Sequence, residues 1–108
     1  MEKLCGKSAV PDGAMKVFNV KGKQLLVANV GGKLHAIDNL CSHMRGRLHE
    51  GMLEGAVVTC PLHGAQFDVT TGKAVRGVQG LMGQMGGKAA DLHSYPLSVK
   101  GDSVFVEI

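Results

Sequence analysis

Apolar residues in this chain come in short runs broken by glycine and small polar residues, and no stretch shows the spaced stripe of an amphipathic helix. Ala14 to Val20 and Gln24 to Asn29 are two such runs on either side of Lys21-Gly22-Lys23. Gly31-Gly32 separates Leu25-Leu26-Val27-Ala28-Asn29-Val30 from Lys33-Leu34-His35-Ala36-Ile37, which reads as a hairpin with a two-residue turn. Pro11-Asp12-Gly13 is a turn signal upstream. Ala56-Val57-Val58-Thr59 reads as a strand running into Cys60, and Val99-Lys100-Gly101-Asp102-Ser103-Val104 as a closing hairpin. The pattern predicts an all-β fold, and 16 glycines with 4% aromatic residues suit short strands joined by tight turns.

At 108 residues the chain is expected to form one domain, residues 1–108, with a small core. No apolar run approaches the roughly 20 residues of a membrane span, and Met1-Glu2-Lys3-Leu4-Cys5 lacks the apolar core of a signal peptide. A soluble, cytoplasmic protein with no membrane partner is expected. Three cysteines argue against a disulfide framework. The net charge is +3, but without a dense Lys/Arg run or aromatic interleaving it gives no nucleic-acid footprint. Such a mild positive balance suits an acidic partner or a generic solvated surface equally.

The chemistry lies in two short motifs. Cys41-Ser42-His43 is followed, after sixteen residues, by Cys60-Pro61-Leu62-His63. Each offers one thiolate and one imidazole. Two Cys and two His suit tetrahedral zinc, although zinc fingers usually group Cys with Cys and His with His. The mixed pairing also suits a [2Fe–2S] cluster in which two His replace two Cys on one iron. Neutral imidazoles take the oxidised cluster from an anion to net zero charge. The potential then rises to roughly −150 to +300 mV, against roughly −400 mV for plant-type all-Cys clusters.

Beyond these four residues the chain resembles the Rieske-type ferredoxins. Gly51-Met52-Leu53-Glu54-Gly55 precedes the second motif, and His63-Gly64-Ala65-Gln66-Phe67-Asp68 and Thr71-Gly72-Lys73 follow it. Tyr95-Pro96 and Gly101-Asp102-Ser103-Val104 carry weaker similarity. The resemblance implies stacked antiparallel sheets with two cluster-binding loops, about 40–49 and 59–68, at one tip. Cys41 and Cys60 would hold one iron, and His43 and His63 the other, nearer solvent. It implies an electron carrier, not an enzyme: a monomer or weak oligomer would take one electron from a flavin-dependent NAD(P)H reductase and pass it to a terminal oxygenase or other oxidoreductase. The small Rieske subunit of NADH-dependent nitrite reductase is an alternative of the same size, and a structural zinc module an alternative of another class.

Where high-potential members carry a loop-bridging cystine, this chain has Gly46 and Leu62. Where they carry hydroxyl donors to cluster sulfurs, it has Ala65 and Phe67. The low end of the Rieske range is expected. Gly46 and Gly64 would let backbone N–H groups approach the sulfides, and Pro61 would fix the loop leaving Cys60. Of the remaining residues, His49 reads as a solvated loop histidine, with proton coupling near the cluster as the alternative. His35 is expected to face the surface, His93 to be structural, and Cys5 to be a packed thiol. Arg45 and Arg47 could form a basic docking rim. The Gly-rich stretch 76–91, with Met82 and Met85, reads as a surface loop or as a docking or shielding flap.

Overall fold

The structure, a computed structural model, describes residues 2–40, 47–61, 64–76 and 91–108. Eleven strands follow in chain order: β1 (Glu2–Gly6), β2 (Met15–Val20), β3 (Lys23–Val30), β4 (Lys33–Asp38), β5 (Met52–Glu54), β6 (Val57–Thr59), β7 (Gln66–Asp68), β8 (Ala74–Arg76), β9 (Ser94–Tyr95), β10 (Leu97–Lys100) and β11 (Ser103–Val106). Two three-residue 3-10 turns, Lys7–Ala9 and Leu48–Glu50, supply all the helical structure among the described residues. The fold is all-β, as the sequence pattern requires.

The strands form three antiparallel sheets, ordered β1-β11-β10, β2-β3-β4-β9 and β5-β6-β7-β8. The turns appear where the sequence places them. Gly31 and Gly32 both take positive φ, 63° and 93°. That is the left-handed pair a two-residue hairpin needs to match strand twist, and it sets Val30 opposite Lys33. In the first turn Ala14 N–H donates to the Pro11 carbonyl at 2.9 Å. The closing hairpin pairs Lys100 with Ser103.

The middle sheet explains the unbroken apolar run at Leu25 to Ala28. Leu26 and Ala28 join one core with Ile37, Val58, Phe67 and Val69. Leu25 and Val27 join a second core with Val10, Ala36, Tyr95 and Val106. Successive strand residues point to opposite faces, so a strand covered on both sides reads as continuously apolar. The sheet of β2, β3, β4 and β9 is therefore a central layer. The sheet of β1, β11 and β10 covers one face, and the sheet of β5–β8 the other.

This layering corrects the expectation for His35. It pairs across the strands with Ala28, on the face carrying the first core, and is half-buried. Burial depresses its basicity first, Lys33 adds to that, and Asp68 on β7 partly offsets it. Alternation with Leu34 and Ala36 is real, but the face that carries His35 is partly covered by the sheet of β5–β8. Cys5 is partly buried as expected, and burial raises its thiol pKa against the opposing effect of Lys16.

Candidate metal centre

Cys60 is the expected ligand that falls within the described residues; Cys41, His43 and His63 lie outside them, as do Gly46, Leu62, Arg45 and residues 77–90 of the Gly-rich stretch. Cys60 directly follows β6 and is 2% exposed. Its backbone N–H donates to the Ala65 carbonyl at 2.7 Å, and its own carbonyl accepts from Gly64 N–H at 3.2 Å. The chain thus reverses tightly between β6 and β7, with Gly64 at φ 73°. The expected loop 59–68 is shorter than the resemblance suggested, because Gln66–Asp68 already forms a strand against β6.

The loop containing Cys41 and His43 is closed at its base by described residues. Leu40 and Arg47 form an isolated antiparallel bridge. Leu48 N–H donates to the Asn39 carbonyl at 2.8 Å. Leu48 itself is fully buried in the same apolar cluster as Cys60, Ala65, Val58 and Phe67. A further contact joins the two loop bases. A Cβ on Gly51 would lie 1.9 Å from the Thr59 carbonyl oxygen, one residue before Cys60. Only a residue without a side chain permits that approach.

The chain entering the first loop is held by Asp38 and Asn39, which lie outside both motifs. Asp38 accepts from the Tyr95 hydroxyl at 2.7 Å and from His93 N–H at 3.2 Å. Burial, then that hydrogen bond and the Asp38 charge, push the Tyr95 phenol up to about 12. Asn39 is fully buried, and its backbone N–H donates to the Gln24 carbonyl at 3.0 Å. The signal was present: two short polar residues ending an apolar strand favour bonds to neighbouring backbone.

His49 departs from its expected solvated setting. It is half-buried, its N–H donates to Asn39 Oδ1 at 3.0 Å, and its Nδ1 lies 3.0 Å from Asn39 Nδ2. His93 is structural as expected, with its ring edge-on to Tyr95 at 4.5 Å between centroids. Arg47 is exposed and starts the turn into Leu48.

These features suit an iron–sulfur group on the Cys60 side. A buried thiol follows a strand, a tight turn with a left-handed glycine comes next, and Leu48 at the base of the other motif loop packs in the same cluster. The residues packed with Cys60 there, Leu48, Ala65 and Phe67, are apolar and buried, and none carries a side-chain hydroxyl.

Known proteins agree. A family model described as the Rieske [2Fe-2S] domain matches residues 1–82. The ferredoxin component of a naphthalene 1,2-dioxygenase system from Pseudomonas aeruginosa is 33% identical over 99 residues, covering 92% of this chain and 86% of that one. The ferredoxin component of biphenyl 2,3-dioxygenase from Rhodococcus jostii (strain RHA1) is 34% identical over 108 residues, covering 100% and 92%. Among solved structures, one of a complex of reduced oxygenase and oxidized ferredoxin in carbazole 1,9a-dioxygenase matches with a TM-score of 0.81 and 30% identity, covering 97% of this chain and 99% of that one. The chain belongs to the Rieske [2Fe-2S] family and is a Rieske-type ferredoxin, an electron carrier with one [2Fe–2S] cluster.

Proposed function

We propose that this chain, as one domain over residues 1–108, carries single electrons from a flavin-dependent NAD(P)H reductase to a terminal oxygenase of the ring-hydroxylating type, in the cytoplasm. Cys41 and Cys60 bind one iron as thiolates, and His43 and His63 bind the other through neutral imidazoles. The observation that carries this reading is the juxtaposition of the two loop bases: Leu48, which closes the loop with Cys41 and His43, shares one buried cluster with Cys60. The ferredoxin components named above, one of them solved in complex with its oxygenase, support the choice of acceptor.

A bound cluster of this kind supplies reversible one-electron transfer. The protein contributes the rest. Thiolate Cys60 anchors its iron from a strand end held in register by β7. Buried apolar side chains surround Cys60, and Ala65 and Phe67 offer none of the hydroxyl donors that would stabilise the reduced state. The low end of the Rieske range follows.

Electron paramagnetic resonance of the dithionite-reduced protein tests the ligand set. A rhombic signal with mean g below that of all-Cys [2Fe–2S] clusters is expected. Loss of that signal in both Cys60→Ser and His63→Ala, with one equivalent of iron pair per chain in the parent, completes the assignment. A colourless protein holding zinc, silent on reduction, would overturn it. Reduction by NADH through a flavoprotein reductase, and reoxidation on adding a terminal oxygenase, tests the partners; turnover by neither would refute the carrier role proposed for them.

A further inference from the structure

The hydrogen bonds around Asn39 select the tautomer of His49. Asn39 is fully buried, so every polar atom of its side chain needs a partner. The backbone N–H of His49 can only donate, and it points at one side-chain atom of Asn39 at 3.0 Å. That atom is therefore the carbonyl oxygen. The other is the amide nitrogen, which has two hydrogens and no lone pair to accept with. One hydrogen goes to Gln24 Oε1 at 3.2 Å. The other goes to the His49 ring, whose Nδ1 is 3.0 Å away. His49 Nδ1 is then an acceptor, which puts the ring N–H on Nε2.

The same bonds form a clamp. Asn39 precedes Cys41 by two residues, and His49 follows residues 41–46 in the 3-10 turn Leu48–Glu50. The side chain of Asn39 thus spans the base of the first motif loop from one end to the other. The Leu40–Arg47 bridge and the bond from Leu48 N–H to the Asn39 carbonyl lie beside it. Of these ties, the ring bond alone depends on the type of side chain at position 49.

We infer that His49 is a positioning residue for the iron–sulfur site: its Nδ1 lone pair anchors Asn39 and so holds the loop that presents Cys41 and His43. The inference rests on the ligand reading given under Proposed function. Partners bonded directly to metal ligands are worth about 10–100-fold in metal affinity when removed, and a tie that acts through the loop base is expected at the lower end of that range.

Side-chain geometry supplies a discriminating test. The Oδ1 of an asparagine occupies the place of histidine Nδ1, one bond beyond Cγ, whereas a glutamine Oε1 reaches the place of Nε2. His49→Asn should therefore keep the bond to Asn39, and His49→Ala and His49→Gln should lose it. In the cluster-loaded protein, release of the cluster to an iron chelator is followed by visible absorbance. It should be about tenfold faster in H49A and H49Q than in wild type, with broadened rhombic resonance lines, and close to wild type in H49N. Wild-type release and line shape in H49A would overturn the clamp, and so would H49N releasing as fast as H49A or H49Q as slowly as H49N. Ring ¹⁵N shifts of His49 should report Nε2–H in wild type; Nδ1–H would overturn the proposal directly. A wild-type protein without the rhombic signal would instead overturn the ligand reading, and with it the role assigned to His49, whereas a normal wild-type signal with an indifferent H49A condemns the clamp alone.

Discussion

Gly51→Ala isolates the contact between the two loop bases. The added Cβ would stand 1.9 Å from the Thr59 carbonyl oxygen, 3.1 Å from its carbon and 3.3 Å from the Leu48 carbonyl oxygen. Relief needs a separation of more than about 1 Å between two backbone segments, since carbon and oxygen do not approach closer than van der Waals contact. Neither segment is loose. Gly51 N–H donates to the Leu48 carbonyl at 2.9 Å, and Thr59 is paired with both Met52 and Gln66. Overpacking of this kind costs about 1–3 kcal/mol, and loss of one of those hydrogen bonds adds about 1 kcal/mol. Gly6→Ala is the matched control. Gly6 sits at φ −75° and ψ 152°, and its Cβ would meet nothing closer than the Asp102 carbonyl at 3.8 Å. There the smaller entropy of the unfolded chain should add about 0.4–1 kcal/mol of stability. The assay is apparent melting of the cluster-loaded protein at a fixed scan rate, read by circular dichroism and by visible absorbance. At about 4 °C or more per kcal/mol, G51A should melt clearly below wild type and lose colour with or before the fold, while G6A should melt at or above it. G51A melting alongside G6A would refute the argument that the bases are held in contact by that glycine.

Ala65→Ser and Phe67→Tyr should each raise the reduction potential, measured by redox titration of the resonance signal, because each offers a hydroxyl from a buried wall position; no rise in either would remove the account of a low potential. Tyr95→Phe leaves Asp38 without its 2.7 Å donor and should cost about 1.5–3 kcal/mol in denaturant melts near neutral pH. With the phenol raised from 10.0 to about 12 in the folded state, its contribution is complete below pH 10.0 and fades as pH climbs toward about 12. Wild type should therefore lose on the order of 2 kcal/mol across that window and Y95F should not; parallel curves would contradict the assignment. Asn29→Ala strips the Val10 carbonyl of a 2.8 Å donor and Gly32 N–H of a 2.8 Å acceptor, and should destabilise by about 1–3 kcal/mol in urea melts.

Most strands and turns were legible because they depend on local signals. Gly31-Gly32, Pro11-Asp12-Gly13 and the apolar runs around them specify their own conformations. The side of a strand that meets solvent is not a local property. His35 looks outward only until the sheet of β5–β8, built from residues 52–76, is laid over it. The motif likewise announced Cys60 by residue type and spacing, whereas the part played by Asn39 could not be read. It depends on a side chain reaching ten residues along the chain to His49, and on Gln24 in another strand, pairings that no periodicity encodes. Gly51 is legible as a glycine but not as a contact, since a turn would have used the same residue.

The segment between β4 and β9 leaves and rejoins the central layer at one point. Asp38 N–H donates to the His93 carbonyl at 3.1 Å, and His93 N–H donates back to the Asp38 carboxylate. The sheet of β5–β8 lies between these two positions in the chain, as an insert whose ends are adjacent. A peptide inserted this way can be exchanged between hosts without lengthening or redirecting the host chain. Its compatibility with a new scaffold would turn on a short set of matching surfaces: the junction itself, Gln24 beneath Asn39, and the face of the central layer carrying Leu26, Ala28 and Ile37. A cluster module transplanted together with those positions should keep its redox character in a foreign carrier.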